Sequence, residues 1–91
     1  SYIREYDMVG VVEDYDSNTG IAKLIQKNRF FKGDEVEFLC TDGTFFTQEI
    51  EYLTDENGEP TDVANHPQSV VYVKTSNPVT KDSFMRKKRS E

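Results

Sequence analysis

The sequence predicts an all-β fold, a small antiparallel β-barrel of five or six strands, from three observations. Short segments alternate apolar and polar residues, turn-forming residues recur about every 10 residues, and Ser69 to Thr75 is dense in β-branched and aromatic residues. A barrel is favoured over a sandwich because closing the sheet removes unpaired strand edges.

The first strand is predicted over Tyr2 to Glu13, where Met8-Val-Gly-Val-Val12 is apolar and Gly10 marks a bulge or a close backbone approach. The turn formers Asp14 to Gly20 then lead into a strand beginning at Ile21, which makes a hairpin the economical reading. Ile21 to Cys40 reads as two strands joined by a loop. In the second arm Val36, Phe38 and Cys40 share one face while Glu35 and Glu37 share the other. Gly33-Asp34 is where the chain turns back, since Gly accepts positive φ and Asp bonds nearby backbone. Thr41-Asp-Gly43 is a further turn, and the even spacing of Phe46, Ile50 and Tyr52 predicts a strand over Thr44 to Leu53. An acidic turn follows at Thr54 to Pro60, then a helical turn or irregular loop from Thr61 to Gln68. Ser69 to Thr75 is apolar on both faces, as strands at a sheet centre or between layers are. Asn77-Pro78 ends it, so residues 1–80 are expected to form the barrel and 81–91 a short helical turn with a basic tail.

A chain of 91 residues holds one domain with a small core, and 11 aromatic residues must supply much of it. One cysteine permits no internal disulfide, and no apolar run nears the roughly 18 residues of a membrane span, which suggests a cytoplasmic setting without membrane contact. The opening Ser-Tyr-Ile lacks a methionine, as expected of a piece excised from a longer protein. The net charge of −6 is unevenly divided. Residues 1–80 carry 6 basic and 15 acidic residues, whereas 81–91 carry 5 and 2. The acidic body repels nucleic acid on average, so only a local patch could bind it.

One such patch is visible. Lys23, Lys27, Arg29 and Lys32 interleave with Phe30 and Phe31, and single-stranded nucleic acid is held by cations that track phosphates beside rings that stack on bases. The plainer account pairs Lys23 and Lys27 with Glu35 or Glu37 across a hairpin and uses both phenylalanines to plug a barrel end. Cys40 and His66 are the only candidates for a thiol nucleophile and its base, but Cys40 falls on the apolar face, where a thiol is unactivated. Asp14, Asp16 and Asn18 start like a calcium loop, yet Thr19 precedes Gly20 and the twelfth position is Ile25. Asp55, Asn57 and Asp62 are a weaker version, interrupted by Pro60. Neither metal nor cofactor is expected, since zinc spacing, a phosphate-binding Gly loop and a Ser/His/Asp motif are all lacking.

Val9-Gly-Val-Val-Glu-Asp-Tyr-Asp16, Thr19-Gly-Ile-Ala22, Gln26-Lys-Asn-Arg-Phe30, Lys32-Gly-Asp-Glu-Val-Glu-Phe38, Asp62-Val-Ala-Asn-His-Pro-Gln68 and Phe84-Met-Arg-Lys87 resemble the C-terminal domain of the collagenase-like peptidase family U32 over nearly the whole chain. The resemblance implies a barrel similar to domain two of translation elongation factors, appended to a larger N-terminal catalytic domain that is its first partner. Some members of that family are described as collagen-degrading peptidases, and others are implicated in hydroxylation of transfer or ribosomal RNA with an iron-sulfur cluster. The catalytic signature, a His-Gly-Ala run followed by cysteines, is missing here, because His66 precedes Pro67 and Cys40 stands alone. The expected role is therefore a non-catalytic, monomeric accessory module that assists binding of an RNA or protein substrate or docks to the catalytic domain; an autonomous hydrolase using Cys40 and His66 is the alternative.

Overall fold

The computed structural model describes residues 5–89, all of whose regular structure is β. Nine strands follow one another: β1 (Tyr6–Asp16), β2 (Ile21–Gln26), β3 (Phe30–Phe31), β4 (Glu35–Leu39), β5 (Phe45–Glu49), β6 (Leu53–Thr54), β7 (Val63–Ala64), β8 (Val70–Lys74) and β9 (Phe84–Lys88). Six of them have five or more residues, in keeping with the expected strand number. Seven form one antiparallel sheet in the order β5-β4-β9-β1-β2-β8-β6, and β3 pairs with β7 apart from it. The sheet curls into a half-barrel. Across its open side the Gln48 side chain donates to the Lys74 carbonyl at 2.9 Å and accepts from the Ser76 N–H at 2.7 Å, which ties the β5 edge to the end of β8.

The core lies on the concave face and follows from strand alternation. Val12, Leu24, Phe38, Val71, Val73 and Met85 point inward with 5% exposure or less, and Phe38 stacks on Phe46 with ring centroids 5.0 Å apart. The predicted irregularity at Gly10 is present. The register of β1 against β9 shifts between Met8 and Gly10, and against β2 between Val12 and Asp14, so the longest strand carries a bulge toward each neighbour. Gly33 turns the chain at φ 97°, a conformation that L side chains avoid, and Asp34 fixes that turn by accepting the Phe31 N–H at 2.8 Å. The expected start of the first strand at Tyr2 lies outside the described residues.

Two expectations change. The strand expected from Thr44 to Leu53 is broken at Ile50, which is buried and exchanges backbone hydrogen bonds with Gly33 and Asp34. The chain then crosses to the other side of the half-barrel, where Leu53 and Thr54 pair with β8. The expected helical turn and tail after residue 80 are instead a tight turn and a strand. Ser83 donates its N–H to the Thr80 carbonyl at 3.2 Å, and β9 then inserts between β1 and β4 with Met85 fully buried. Two of its three cations find partners, Arg86 with Glu37 at 2.7 Å and Lys87 with Asp34 at 3.0 Å, and Arg89 just beyond it meets Asp7 at 2.7 Å. Hence the barrel extends through Lys88, and the division at residue 80 does not describe it.

Candidate binding surface

The loop between β2 and β4 is pinned at both ends by backbone hydrogen bonds. Lys27 and Asn28 both donate their N–H to the Val9 carbonyl, which the β1 bulge turns toward them, and the Asn28 side chain donates to the Met8 carbonyl at 2.6 Å. Farther along, the Lys32 N–H donates to the Asp62 carbonyl at 2.9 Å. Between these anchors β3 is two residues long, so strand alternation sends neighbouring rings in opposite directions. Phe30 is buried with 0% exposure, while Phe31 is 42% exposed.

Phe31 is flanked by two cations. The Arg29 guanidinium lies 5.8 Å and the Lys87 ammonium 5.4 Å from its ring centroid, distances at which an exposed cation–π contact contributes about 0.5–1 kcal/mol. Lys87 also holds Asp34, the residue that fixes the Gly33 turn. Nothing near Phe31 in sequence announces Lys87, which belongs to the segment expected to be a tail. Only a reading of Phe84–Lys88 as a strand beside β4 would have found it.

The six residues singled out from the sequence are thus divided. Arg29, Phe31 and Lys32 are exposed on one loop, and the Lys27 ammonium beside it donates to the Gln68 side-chain carbonyl at 3.3 Å. Lys32 borders a shallow hollow with Glu49, Glu51 and Asp62, whose carboxylates offset its charge. Lys23 stands apart on β2, opposite Asp14 and Tyr72, in a cleft shared with Tyr15 and Tyr52. Phe30 is withdrawn from any stacking role by its burial. The hairpin pairing of Lys23 or Lys27 with Glu35 or Glu37 does not form, because β4 pairs with β5 and β9 rather than β2. Glu37 instead binds Arg86, whose guanidinium packs 4.0 Å from the Tyr6 ring centroid.

The remaining candidates have local work. Cys40 is half-buried against the core at the end of β4, whereas His66 is exposed between β7 and β8, with its N–H on the Gln26 side-chain carbonyl at 3.2 Å. The strands beside them, β4 and β8, do not pair with each other in the sheet, and no hydrogen bond joins the two side chains. Asp16 accepts the Asn18 N–H at 2.9 Å, and Asp55 accepts those of Asn57 and Glu59, which makes both aspartates turn builders. Asp42 does the same for Thr44, and those hydrogen bonds hold its carboxyl below the ordinary carboxylate value. Among the described residues no group of three or more His, Cys, Asp or Glu side chains is placed to hold a metal ion. A cleft of about 440 Å³ beside His66 is lined by Gln26, Asp55, Ser69 and Val71, but Gln26 spends both ends of its amide on the Ala64 carbonyl and the His66 N–H.

Residues 4–86 match the model of the peptidase family U32 C-terminal domain. The tRNA hydroxylation protein P1 of Bacillus subtilis (strain 168) is 43% identical over 82 residues, which cover 90% of this chain but 19% of that protein's length. Two crystal structures of the C-terminal domain of a Geobacillus thermoleovorans protein assigned to the U32 peptidases are also similar. The selenomethionine variant is 43% identical with a TM-score of 0.85, covering 89% of this chain and 99% of that one. The second is 40% identical with a TM-score of 0.83, covering 92% and 93%.

Proposed function

Because the chain belongs to the peptidase family U32 C-terminal domain family, we propose that it is a non-catalytic accessory domain that adds an RNA contact to a longer RNA-modifying protein of the cytoplasm. The observation that carries this reading is the exposed Phe31 ring between Arg29 and Lys87, with Lys27 and Lys32 on the same loop. A ring of this kind stacks on an unpaired base while the cations beside it meet phosphates. The name of the Bacillus subtilis relative points to tRNA as the RNA concerned. The non-catalytic reading is supported by Cys40, which packs against the core and shares no hydrogen bond with His66.

Three or so phosphate contacts on an otherwise acidic body give weak binding, and their value comes from attachment to a larger RNA-binding protein through raised effective concentration. Full-length protein is therefore the object to test, by fluorescence anisotropy with labelled tRNA across a salt series. Lys27→Glu, Arg29→Glu and Lys32→Glu together should weaken binding by about tenfold or more at low salt and flatten the salt dependence. Phe31→Ala should weaken binding at every salt concentration. If both variants bind tRNA like the wild type, the surface is a solvated loop and the reading fails.

A further inference from the structure

A carboxylate stands among the cations of the Phe31 loop, where charge alone would not put one. Asp34 and Phe31 close a turn in which the Asp34 N–H donates to the Phe31 carbonyl at 3.1 Å. The backbone around Asp34 is itself anchored: its carbonyl accepts the N–H of the buried Ile50 at 2.8 Å, and the Gly33 N–H donates to the Ile50 carbonyl at 2.7 Å. From this fixed point one carboxylate oxygen, Oδ2, serves two partners. It accepts the Phe31 N–H at 2.8 Å and the Lys87 ammonium at 3.0 Å. Lys87 comes from β9, where it stands opposite Val36 of β4, and its ammonium lies 5.4 Å from the Phe31 ring centroid. Asp34 therefore holds both the backbone that carries the ring and the cation beside the ring.

We infer that Asp34 is a positioning residue of the RNA contact, and that Lys87 supports the Phe31 ring instead of meeting phosphate; the inference rests on the RNA reading proposed above. A carboxylate close to a phosphate backbone weakens binding by repulsion unless its charge is taken up. Lys87 takes it up. Both side chains are partly sheltered, at 23% exposure for Lys87 and 27% for Asp34, so the pair acts as a neutral unit and leaves the outward positive charge to Arg29 and Lys32. A ring held in place before its ligand arrives binds more tightly, because apparent affinity falls with the fraction of molecules in which the ring is displaced. Two tasks thus divide within one surface. Lys27, Arg29 and Lys32 supply the part of binding that salt weakens, while Asp34 and Lys87 secure the stacking part, which releases no counterions.

In the full-length protein, Lys87→Met should weaken tRNA binding about fivefold and leave its salt slope unchanged. Loss of a phosphate ligand would instead lower the slope by about 0.9, and that outcome overturns the role given to Lys87. Asp34→Asn should also weaken binding, by about fivefold at roughly 0.3 M salt, although it removes a negative charge. Asp62→Asn is the control, an exposed acid beside Lys32 that makes no hydrogen bond to Phe31, and it should strengthen binding slightly. If Asp34→Asn strengthens binding as Asp62→Asn does, Asp34 is only a charge and the inference fails. A readout without RNA separates this inference from the reading beneath it. The related Geobacillus thermoleovorans domain was crystallised by itself, so the isolated domain serves. There Asp34→Ala should speed hydrogen exchange of the Phe31 amide by about tenfold or more while the amides of β2 keep their protection. Lys87→Met leaves the Gly33 turn intact and carries the test if Asp34→Ala loosens the whole domain. Unchanged exchange at Phe31 in a folded Asp34→Ala domain overturns the inference even where Phe31→Ala weakens tRNA binding. Faster exchange, with tRNA affinity untouched by Asp34→Asn, Lys87→Met and Phe31→Ala alike, sinks the RNA reading and the inference with it.

Discussion

Phe30→Ala should lower the stability of the domain by about 3–5 kcal/mol, whereas Phe31→Ala should cost less than about 1 kcal/mol. The two rings are adjacent in sequence and alike in chemistry, so the difference measures position alone. Phe30 has no exposed surface and belongs to the core cluster; removing its ring forfeits the transfer free energy of the side chain and leaves a cavity that a sheet held by hydrogen bonds closes only in part. Phe31 keeps 42% of its surface in water and loses mainly its contacts with Arg29 and Lys87. Urea denaturation of the two variants beside the wild type, followed by tyrosine fluorescence, gives both values. Equal destabilisation by the two substitutions would contradict the opposed directions of the rings and remove the case for Phe31 as a platform.

Gln26→Leu should cost about 2–4 kcal/mol although it makes a buried position more apolar. Gln26 is fully buried on β2, and its amide donates to the Ala64 carbonyl at 2.8 Å while accepting the His66 N–H at 3.2 Å. One side chain thus ties the β7 segment to the main sheet. Leucine fills similar space but offers no hydrogen bonds, leaving a backbone donor and acceptor without their partner in a protected place. Chemical denaturation should report the loss, and hydrogen exchange should show the 63–68 segment opening more readily than the β1–β2 hairpin. A neutral result would mean that water replaces the amide at no cost, so that the segment is held by the β3–β7 pairing and by the backbone hydrogen bonds of Gln26 with Gln68 and Ser69.

Much of this architecture was legible because it is local. The alternation of Val36 and Phe38, the turns at Gly33 and Gly43, and the bulge near Gly10 all follow from residues within a few positions of one another. What the sequence concealed depends on partners far away. Phe84 to Lys88 looks like a basic tail because three of its five residues are cationic, and only the approach of Asp34 and Glu37, some 50 positions earlier, makes a strand of it. The candidate surface was hidden for the same reason. Arg29 and Phe31 were visible as neighbours, but Lys87 enters from β9, and no local pattern distinguishes the inward Phe30 from the outward Phe31.

The place of β9 between β1 and β4 has a consequence for how the domain comes into being during synthesis. The β1–β2 and β4–β5 hairpins close short loops and can form as soon as their residues emerge, but neither pairs with the other. Strand pairing joins them only through β9, so two half-sheets wait with unpaired backbone edges until Phe84 to Lys88 is available. Assembly is then governed by a closure over some 50 residues, which makes it slow compared with hairpin formation and opens an interval in which those edges invite strand exchange or aggregation. Pulse-labelled hydrogen exchange during refolding should find amides between β1 and β2 protected well before those between β4 and β9. Simultaneous protection of both sets would show instead that the strand which arrives last joins at the first collapse.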